Sequence, residues 1–284
     1  MTGAERGFLL LTSHLGIRDR KTMTVAMFRQ LAAMVRSSGK EDGARELELN
    51  DLLRMGISQD LAIRVLALLA EEALLEQYLH RGAQMGCRPL TWVSREYPEI
   101  LRQLLGDDAP GVIWTKGDIS LLSKPMLSLV GSRDLRPLNC EFARKVGRMA
   151  AERGYTLVSG NARGADWVAQ ESCLQAGGTV ISVVADDLSH KRPCERLLYL
   201  TEHDFDEKFS SVRAHSRNRL IHCLGYAVFV AQSGVSGGTW SGTEKNLRKK
   251  WSRVMVFDDG TRPVKELCEL GAAPVTMADI ESCM

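Results

Sequence analysis

The chain has 284 residues, of which 44% are hydrophobic and 25% are charged, a composition typical of soluble globular proteins. Its formal net charge of +2 does not in itself indicate a nucleic-acid-binding protein, so any basic surface must come from the local distribution of charge. No run approaches 18 apolar residues, and the first residues lack the architecture of a signal peptide. We therefore expect a cytoplasmic protein with no membrane partner.

The cysteines are widely spaced and contain no C-x-x-C pair. There are seven of them, at positions 87, 140, 173, 194, 223, 268 and 283. An odd, scattered set suits a reducing compartment, where most thiols act as small core residues. Zinc would need paired ligands, and the six histidines do not supply them. The sequence therefore predicts no metal and no cofactor.

Residues 1–85 predict a small all-helical domain. Apolar residues recur every three to four positions in "MTVAMFRQLAAMV" (23–35) and again in "SQDLAIRVLALLAEEALLEQYL" (58–79), where Ser58 is a suitable N-cap. Between these two stretches, "RSSGKEDGARE" (36–46) is polar and contains glycine, which is typical of a loop.

Residues 86–284 predict an α/β domain. It opens with a connecting segment at 86–124, in which three prolines separate short apolar stretches. Apolar strands then alternate with helices, which indicates a mainly parallel sheet covered on both faces, a Rossmann-like doubly wound fold. The strands are expected at 126–130, 155–159, 179–185, 226–231 and 253–257. The helices are expected near 138–153, 164–176, 216–224 and 241–250.

Glycine-rich turns with arginine or serine follow several of these strands. The first strand ends in "GSRDLRP", the second in "SGNARGAD", and the fourth runs into "AQSGVSGGTWSGTEKN" after the basic stretch "VRAHSRNRLI". Ligands of open α/β sheets bind beyond the carboxyl ends of the strands. Backbone N–H groups at helix N-termini and arginine guanidinium groups both suit phosphate oxygens. Together the turns favour a ligand that carries phosphate.

Each of these residues also has a structural interpretation. The glycines permit tight strand-to-helix turns without any ligand. Asp166 lies in the first turn of its helix, where a carboxylate is stabilising and needs no catalytic role. Trp167 and Trp240 lie beside the turns, where they could stack on a base or pack against a helix. The basic stretch "KNLRKKWSR" (245–253) is typical of an exposed helix face, although it could extend a nucleic-acid surface.

The motifs resemble those of the DprA/Smf family of DNA-processing proteins. "LSLVGSR", "LVSGNARGADWVAQ", "SRNRLIHCLGYAVFVAQ" and "SGVSGGTWSG" follow the order and rough spacing of the family's V-G-S-R, S-G-x-A-R-G-x-D, R-N-R and S-G patterns. Upstream, "YPEILRQL" and "VIWTKGD" are similar to its Tyr-Pro and K-G-D elements. The helical start resembles the family's SAM-like domain, so the resemblance covers nearly the whole chain.

The resemblance implies binding and no catalysis. It implies that the chain binds single-stranded DNA or a nucleotide, forms a homodimer, and acts in recombination with a RecA-type recombinase. The binding residues that it implies are Gly131, Ser132, Arg133, Ser159, Gly160, Arg163, Gly164, Asp166, Arg217, Asn218, Arg219, Ser236, Gly237 and Gly238.

The chain departs from the family's pattern at several positions. Asn161 stands where an aliphatic residue is usual, and Trp167 begins a segment where the family tends to have a histidine. The chain ends near the close of the Rossmann-like domain, so we expect a divergent member without the family's winged-helix tail. Such proteins also occur in toxin–antitoxin and anti-phage modules, so an antitoxin or sensor with a cognate toxin as partner is the alternative.

An enzymatic function is a third hypothesis. "GGTWSGTEKN" resembles the glycine-rich loop of the LOG phosphoribohydrolases, which split nucleoside monophosphates, and Glu244 would be the catalytic acid. The spacing from the glycines to Glu244 does not match that loop, and no second carboxylate lies nearby in the sequence. The sequence therefore favours a binding protein over an enzyme.

Overall fold

The computed structural model of the chain describes residues 1–17, 19–39 and 47–282. Its N-terminal part is helical, as predicted. Thr2 caps the first helix, because its hydroxyl accepts the N–H of Glu5 at 3.2 Å while the Glu5 carboxylate accepts the N–H of Thr2 at 2.6 Å. The helices are α1 (Gly3–Thr12), α2 (Val25–Ser37), α3 (Leu49–Arg54), α4 (Gln59–Leu69) and α5 (Glu72–Gln84). Most of the loop predicted at 36–46 lies outside the described residues, and so does Cys283.

One sheet of nine strands follows within the described residues, in the order β1-β2-β6-β5-β4-β3-β7-β8-β9. In the sheet order from β6 through β3 to β9, all neighbouring strands are parallel, whereas β2 pairs antiparallel with both β1 and β6. The strands are β1 (Arg88–Thr91), β2 (Val112–Gly117), β3 (Met126–Val130), β4 (Thr156–Ser159), β5 (Thr179–Val183), β6 (Leu197–Thr201), β7 (Ala227–Val230), β8 (Arg253–Phe257) and β9 (Ala273–Val275).

Helices cover both faces of this sheet. Side chains of successive strand residues point to opposite faces, so Leu129 of β3 packs with the core under α7 and α8, while Val130 packs with the core under α6, α9 and α11. This arrangement confirms the predicted doubly wound fold. The helices are α6 (Glu99–Leu105), α7 (Pro137–Glu152), α8 (Ala165–Gln175), α9 (Ser211–Leu224), α10 (Gly238–Lys249) and α11 (Arg262–Glu269).

The predicted elements agree with the structure where the apolar runs are long. β3 and β8 have the predicted bounds, whereas α9 begins five residues before the predicted start at 216 and α10 three residues before 241. The sequence interpretation missed β1, β2, β6 and β9. The connecting segment thus contributes two strands, and Pro89 is tolerated in β1 because that strand lies at the edge of the sheet.

A third core joins the helical part to the sheet. The ring of Trp114 in β2 lies 5.3 Å from that of Tyr78 in α5 and 4.6 Å from that of Phe205, centroid to centroid. Each of these three side chains is almost completely buried. The helices are therefore packed directly on the sheet, and a domain boundary near residue 85 stays a prediction. None of the helices in the described ranges has the length and apolar character of a bilayer-spanning segment.

Candidate functional site

The sheet reverses its order of growth at β3. From this strand the chain continues through β4, β5 and β6 on one side, and later through β7, β8 and β9 on the other. Such a reversal opens a crevice at the carboxyl ends of the strands. Here the crevice lies beyond Val130 of β3 and Val230 of β7, which are in register. The predicted glycine turns follow these strands and β4.

Two glycines allow the turns after β3 and β4 to touch. A Cβ atom on Gly164, whose φ is +89°, would lie 2.4 Å from the carbonyl oxygens of both Ser132 and Arg133. A Cβ atom on Gly131 would lie 2.5 Å from the Cβ atom of Ala165. Because the turns are this close, the N–H of Ala165 donates to the carbonyl of Ser132 at 3.1 Å. Packing alone therefore requires glycine at both positions.

Gly160 makes room for the guanidinium group of Arg217. A Cβ atom on Gly160 would lie 2.1 Å from Nη1 of Arg217. Nη2 of Arg217 donates to the carbonyl of Gly160 at 3.0 Å and lies 3.9 Å from a carboxylate oxygen of Asp166. Nη1 donates to Oδ1 of Asn218 at 2.8 Å. The buried side chain of Arg217 thus lies against the turn after β4 and stabilises it through these hydrogen bonds.

The carboxylate of Asp166 is buried with this arginine. Burial raises the pKa of Asp166, and the opposing influences are the charge of Arg217 and hydrogen bonds from the backbone N–H groups of Ala162 and Gly160. Burial lowers the pKa of Arg217, and the charge of Asp166 opposes that change. The two side chains therefore depend on each other for charge compensation, which suits a structural pair better than a proton donor open to substrate.

Asn218 and Thr239 tie the start of α10 to the same turns. The Asn218 side-chain amide donates to the carbonyl of Gly238 at 3.1 Å, and the Thr239 hydroxyl donates to the carbonyl of Gly131 at 3.0 Å. The turn after β7 is therefore fixed relative to the turn after β3.

Two helix N-termini at these turns have no side-chain cap. α8 follows Gly164 and α10 follows Gly237, and neither glycine can supply an oxygen to the first amides of its helix. The macrodipole gives each N-terminus a partial positive charge. At α8 the N–H of Ala165 already donates to the Ser132 carbonyl and that of Trp167 to the Ala162 carbonyl, and Asp166 lies in the first turn. The N-terminus of α10 is therefore the stronger site for an anion such as phosphate.

Two predicted arginines are exposed at the rim of the crevice. Arg133 has no hydrogen-bond or ion-pair partner within the described residues. The side chain of Arg163 is 77% exposed and donates to Asp134 at 2.5 Å. Ser236 is also exposed in the turn before α10, and Trp167 is 57% exposed in the first turn of α8. These side chains are accessible to a ligand.

Two other predicted residues have partners within the fold. The hydroxyl of Ser159 is buried and accepts from the side-chain amide of Gln170 at 2.6 Å. Arg219 lies two residues after Arg217 on α9, so it points to a different side of the helix. It pairs with the carboxylate of Glu202 and donates to the carbonyl of Asp108 at 2.7 Å. Ser159 and Arg219 are thus not presented to the crevice.

The sequence interpretation did not single out Gln232, which follows β7 and links three parts of the site. Its backbone carbonyl accepts the N–H of Ser132 at 3.0 Å, and its side-chain amide accepts from the N–H of Arg136 and donates to the carbonyl of Asp134, both at 2.9 Å. A polar side chain directly after an apolar strand is the signal that could have identified it. The left-handed backbone of Asn161, with φ of +62°, had a signal in the residue type, because asparagine is one of the few residues besides glycine that are enriched in that conformation.

Glu244, the acid of the enzyme hypothesis, lies in the second turn of α10. Its carboxylate pairs with Arg248 one turn later, at 2.8 Å. Within the described residues, no group of His, Cys, Asp and Glu side chains is arranged to hold a metal ion. Asp166, beside the turns after β3 and β4, is a buried carboxylate, and it lies 3.9 Å from Arg217.

Comparison with known proteins identifies the family. The sequence pattern of the family described as DNA recombination-mediator protein A matches residues 88–279, more than half of the chain. The chain belongs to this family. It is 28% identical over 176 residues to the DNA processing protein DprA of Bacillus subtilis, over 58% of this chain and 59% of that protein. It thus spans less than two thirds of that relative. These matches confirm the resemblance found in the motifs.

Solved structures of the family share the fold. DNA processing protein A of Streptococcus pneumoniae superposes with a TM-score of 0.73 at 22% identity, covering 100% of this chain and 98% of that one. DNA processing protein A of Helicobacter pylori, solved for its mode of binding single-stranded DNA, has a TM-score of 0.58 at 23% identity and covers 69% of this chain and 93% of that one. The first likeness includes the helical part as well as the sheet.

Proposed function

We propose that this chain binds single-stranded DNA at the carboxyl ends of β3, β4 and β7 and acts in DNA processing and recombination. Membership of the family supports the biological role. The observation that carries the binding site is the meeting of the N-terminus of α10, which has no side-chain cap, with two exposed arginines at one crevice. Each of these groups favours a phosphate oxygen, and none of them reads a base.

The proposed contacts divide into two sets. Arg133, Arg163, Ser236 and the first amides of α10 contact the DNA backbone. The second set stabilises the turns that form the crevice and does not contact the DNA. It consists of Gly131, Gly160, Gly164, Asp166, Arg217 and Asn218. Trp167 is exposed beside Arg163 and offers a ring on which a base can stack. Binding of this kind is tolerant of sequence and sensitive to salt.

We further propose that the chain is not an enzyme. Asp166 is buried against Arg217, and Glu244 is paired with Arg248, so neither carboxylate is placed as a free acid or base at the crevice. The finer assignments follow the family: a cytoplasmic homodimer that presents its DNA to a RecA-type recombinase. A free nucleotide is the smallest ligand that the same crevice would accept.

The proposal predicts that the two rim arginines contribute to affinity and to its dependence on salt. In Arg133→Ala/Arg163→Ala, the loss of two phosphate contacts should lower the slope of log K against log salt by about 1.4, at about 0.7 per phosphate for single strands. Fluorescence anisotropy of labelled oligo(dT), titrated at several salt concentrations, measures both the affinity and the slope.

A matched control removes two exposed arginines from the outer side of α7. Arg144→Ala/Arg148→Ala changes the net charge by the same amount and should leave the slope near that of the natural chain. If the natural chain shows no salt-dependent binding, or if the control loses as much affinity as the rim variant, the proposed site is wrong. A titration with thymidine monophosphate tells whether a single nucleotide occupies the crevice.

A further inference from the structure

The exposed face of α10 carries an unusual concentration of positive charge. Ser241, Lys245, Arg248 and Lys249 are all exposed, and their spacing of three to four residues places them along one side of the helix. Residues 238–253 contain five lysines and arginines and one carboxylate, Glu244. This carboxylate is paired with Arg248. The remaining four cations have no hydrogen-bond or ion-pair partner within the described residues: Lys245, Lys249, Lys250 and Arg253.

Stabilisation of the helix explains only part of this charge. Cations in the last turn of a helix interact favourably with its macrodipole, which accounts for Arg248 and Lys249. Lys245 lies before the last turn, and the effect falls off within one turn. Lys250 is the C-cap residue, and its backbone N–H donates to the Asn246 carbonyl, whereas Arg253 lies in β8. Two of the unpaired cations, Lys245 and Arg253, therefore have no role at the end of α10.

The crevice itself has little unpaired positive charge. Arg163 pairs with Asp134, Arg217 lies beside Asp166, and Arg219 pairs with Glu202. Of the four arginines predicted there, Arg133 is the one that forms no ion pair within the described residues. The crevice therefore suits one or two phosphates, and a longer strand needs cations elsewhere on the surface.

The charged face begins at the crevice. The carbonyl of Gly238 and the hydroxyl of Thr239 are bonded to Asn218 and Gly131, so the N-terminus of α10 is part of the crevice wall. The 12 residues of α10 rise by about 1.5 Å each, so its C-terminus lies about 18 Å away. We propose that the exposed face of α10 from Ser241 to Lys250, extended by Arg253, is a phosphate track that carries single-stranded DNA away from the crevice. This inference rests on the proposed function.

Aromatic rings lie at the far end of the track. Nζ of Lys245 lies 5.6 Å from the ring centroid of Trp251. Tyr226 is 42% exposed and stacks on Tyr155 with 5.9 Å between ring centroids. It directly precedes Ala227, the partner of Arg253 in the register of β7 and β8. An exposed ring next to an unpaired cation, as Tyr226 is next to Arg253, is the combination that binds single strands without reading their sequence.

The test compares a short and a long oligonucleotide. Lys245→Gln/Lys249→Gln/Lys250→Gln removes three cations of the track and leaves the crevice intact. Affinity for oligo(dT) of about 3 nucleotides, which has two internucleotide phosphates, should stay within twofold of the natural chain, because that length fits the crevice alone. For oligo(dT) of about 20 nucleotides, the slope of log K against log salt should fall by about 2, because three phosphate contacts are lost.

The control variant is Arg144→Gln/Arg148→Gln/Lys21→Gln, which removes three exposed cations away from α10. It should bind both lengths as the natural chain does. An unchanged slope for the long oligonucleotide overturns the track, and equal losses for both lengths do so as well. If this face bound an acidic protein instead of DNA, the slope for the long oligonucleotide would be unchanged. If the natural chain binds neither length, the proposed function itself fails, which is a distinct outcome.

Discussion

Arg217 is almost completely buried, and the turn after β4 is built around its guanidinium group. It is held by the Gly160 carbonyl, the Asn218 side chain and the charge of Asp166. An exposed arginine in the same motif would be a direct phosphate ligand, so the motif alone does not distinguish a support from a contact. Burial makes that distinction here, and it separates Arg217 from Arg133 and Arg163 at the rim.

Replacing Arg217 should destabilise the fold strongly. Arg217→Ala leaves the Asp166 carboxylate buried without its cation, which typically costs about 3–5 kcal/mol. The double variant Arg217→Ala/Asp166→Asn removes both charges and should regain part of this loss. Urea unfolding followed by circular dichroism measures the free energies of unfolding. A loss below about 1 kcal/mol in the single variant would contradict the buried pair.

At this scale the sequence predicts candidate binding residues without distinguishing exposed ones from buried ones. Arg133 and Arg163 are exposed as expected from a binding role, and the glycines lie at close approaches between turns. Ser159 and Arg219 have partners inside the fold that are far away in sequence, namely Gln170 and Glu202. Such partners depend on how the strands and helices pack, and no local pattern contains that information.

Helices α9 and α10 meet at a buried histidine. The ring of His222 is fully buried, its Nδ1 lies 3.1 Å from the side-chain amide of Asn246, and Nε2 has no hydrogen-bond partner within the described residues. A Cβ atom on Gly242 would lie 3.0 Å from Nε2, so glycine lets α10 pack over the ring. These two helices carry Asn218 and Gly238, which are hydrogen-bonded to each other at the wall of the crevice.

His222 should make the stability depend on pH. Burial lowers its pKa to about 3, whereas a histidine in an unfolded chain has a pKa near 6.5. The unfolded state therefore binds a proton that the folded state does not bind, and the free energy of unfolding falls as the pH falls below about 6.5. Between pH 7 and pH 5 the loss should be about 2 kcal/mol.

The variant His222→Gln isolates this contribution, since it retains a polar group next to Asn246 and removes the titration. Urea unfolding at several pH values should give a smaller loss of stability toward pH 5 in the variant than in the natural chain. Parallel pH profiles for the two proteins would show that His222 does not titrate between the folded and unfolded states.

The elements found from sequence are those with long apolar runs between polar turns. β3, with "MLSLV", and β8, with "RVMVF", are buried on both faces and have the predicted bounds. β1 and β9 lie at the edges of the sheet, and β1 contains a proline, so the apolar signal is short or interrupted. β6, with "LLYLT", is an apolar run as long as β3, so its local signal was overlooked. Only its antiparallel pairing with β2, more than 80 positions earlier in the sequence, lies beyond any local pattern.

At the scale of the whole molecule, one loop joins the helical part to the sheet through hydrogen bonds and ion pairs. Residues 202–210 connect β6 to α9, and their acidic side chains pair with both parts. Asp204 accepts from the Tyr78 hydroxyl at 2.5 Å, and Asp206 lies 3.2 Å from Arg81 of α5. Glu207 pairs with Arg213 of α9 at 2.6 Å. The helix that carries Arg217 is therefore linked to the N-terminal helices through this loop.

Phe205 lies in the middle of this loop, and its removal tests whether the N-terminal helices and the sheet fold as one unit. Phe205→Ala should cost about 3–5 kcal/mol, because it opens a cavity beside Trp114 and Tyr78. Tryptophan fluorescence and far-ultraviolet circular dichroism should report a single transition at the same urea concentration. Two separate transitions would instead support independent domains with a boundary near residue 85.

The central claim is that single-stranded DNA binds at the strand ends, and amide hydrogen exchange with and without oligo(dT) tests it most directly. We expect slower exchange on binding in residues 131–133, 164–168 and 236–241, with protection extending along 245–250 only for the longer oligonucleotide. Exchange that slows only in residues 1–85, or at the opposite edge of the sheet with no change at the three turns, would contradict the account.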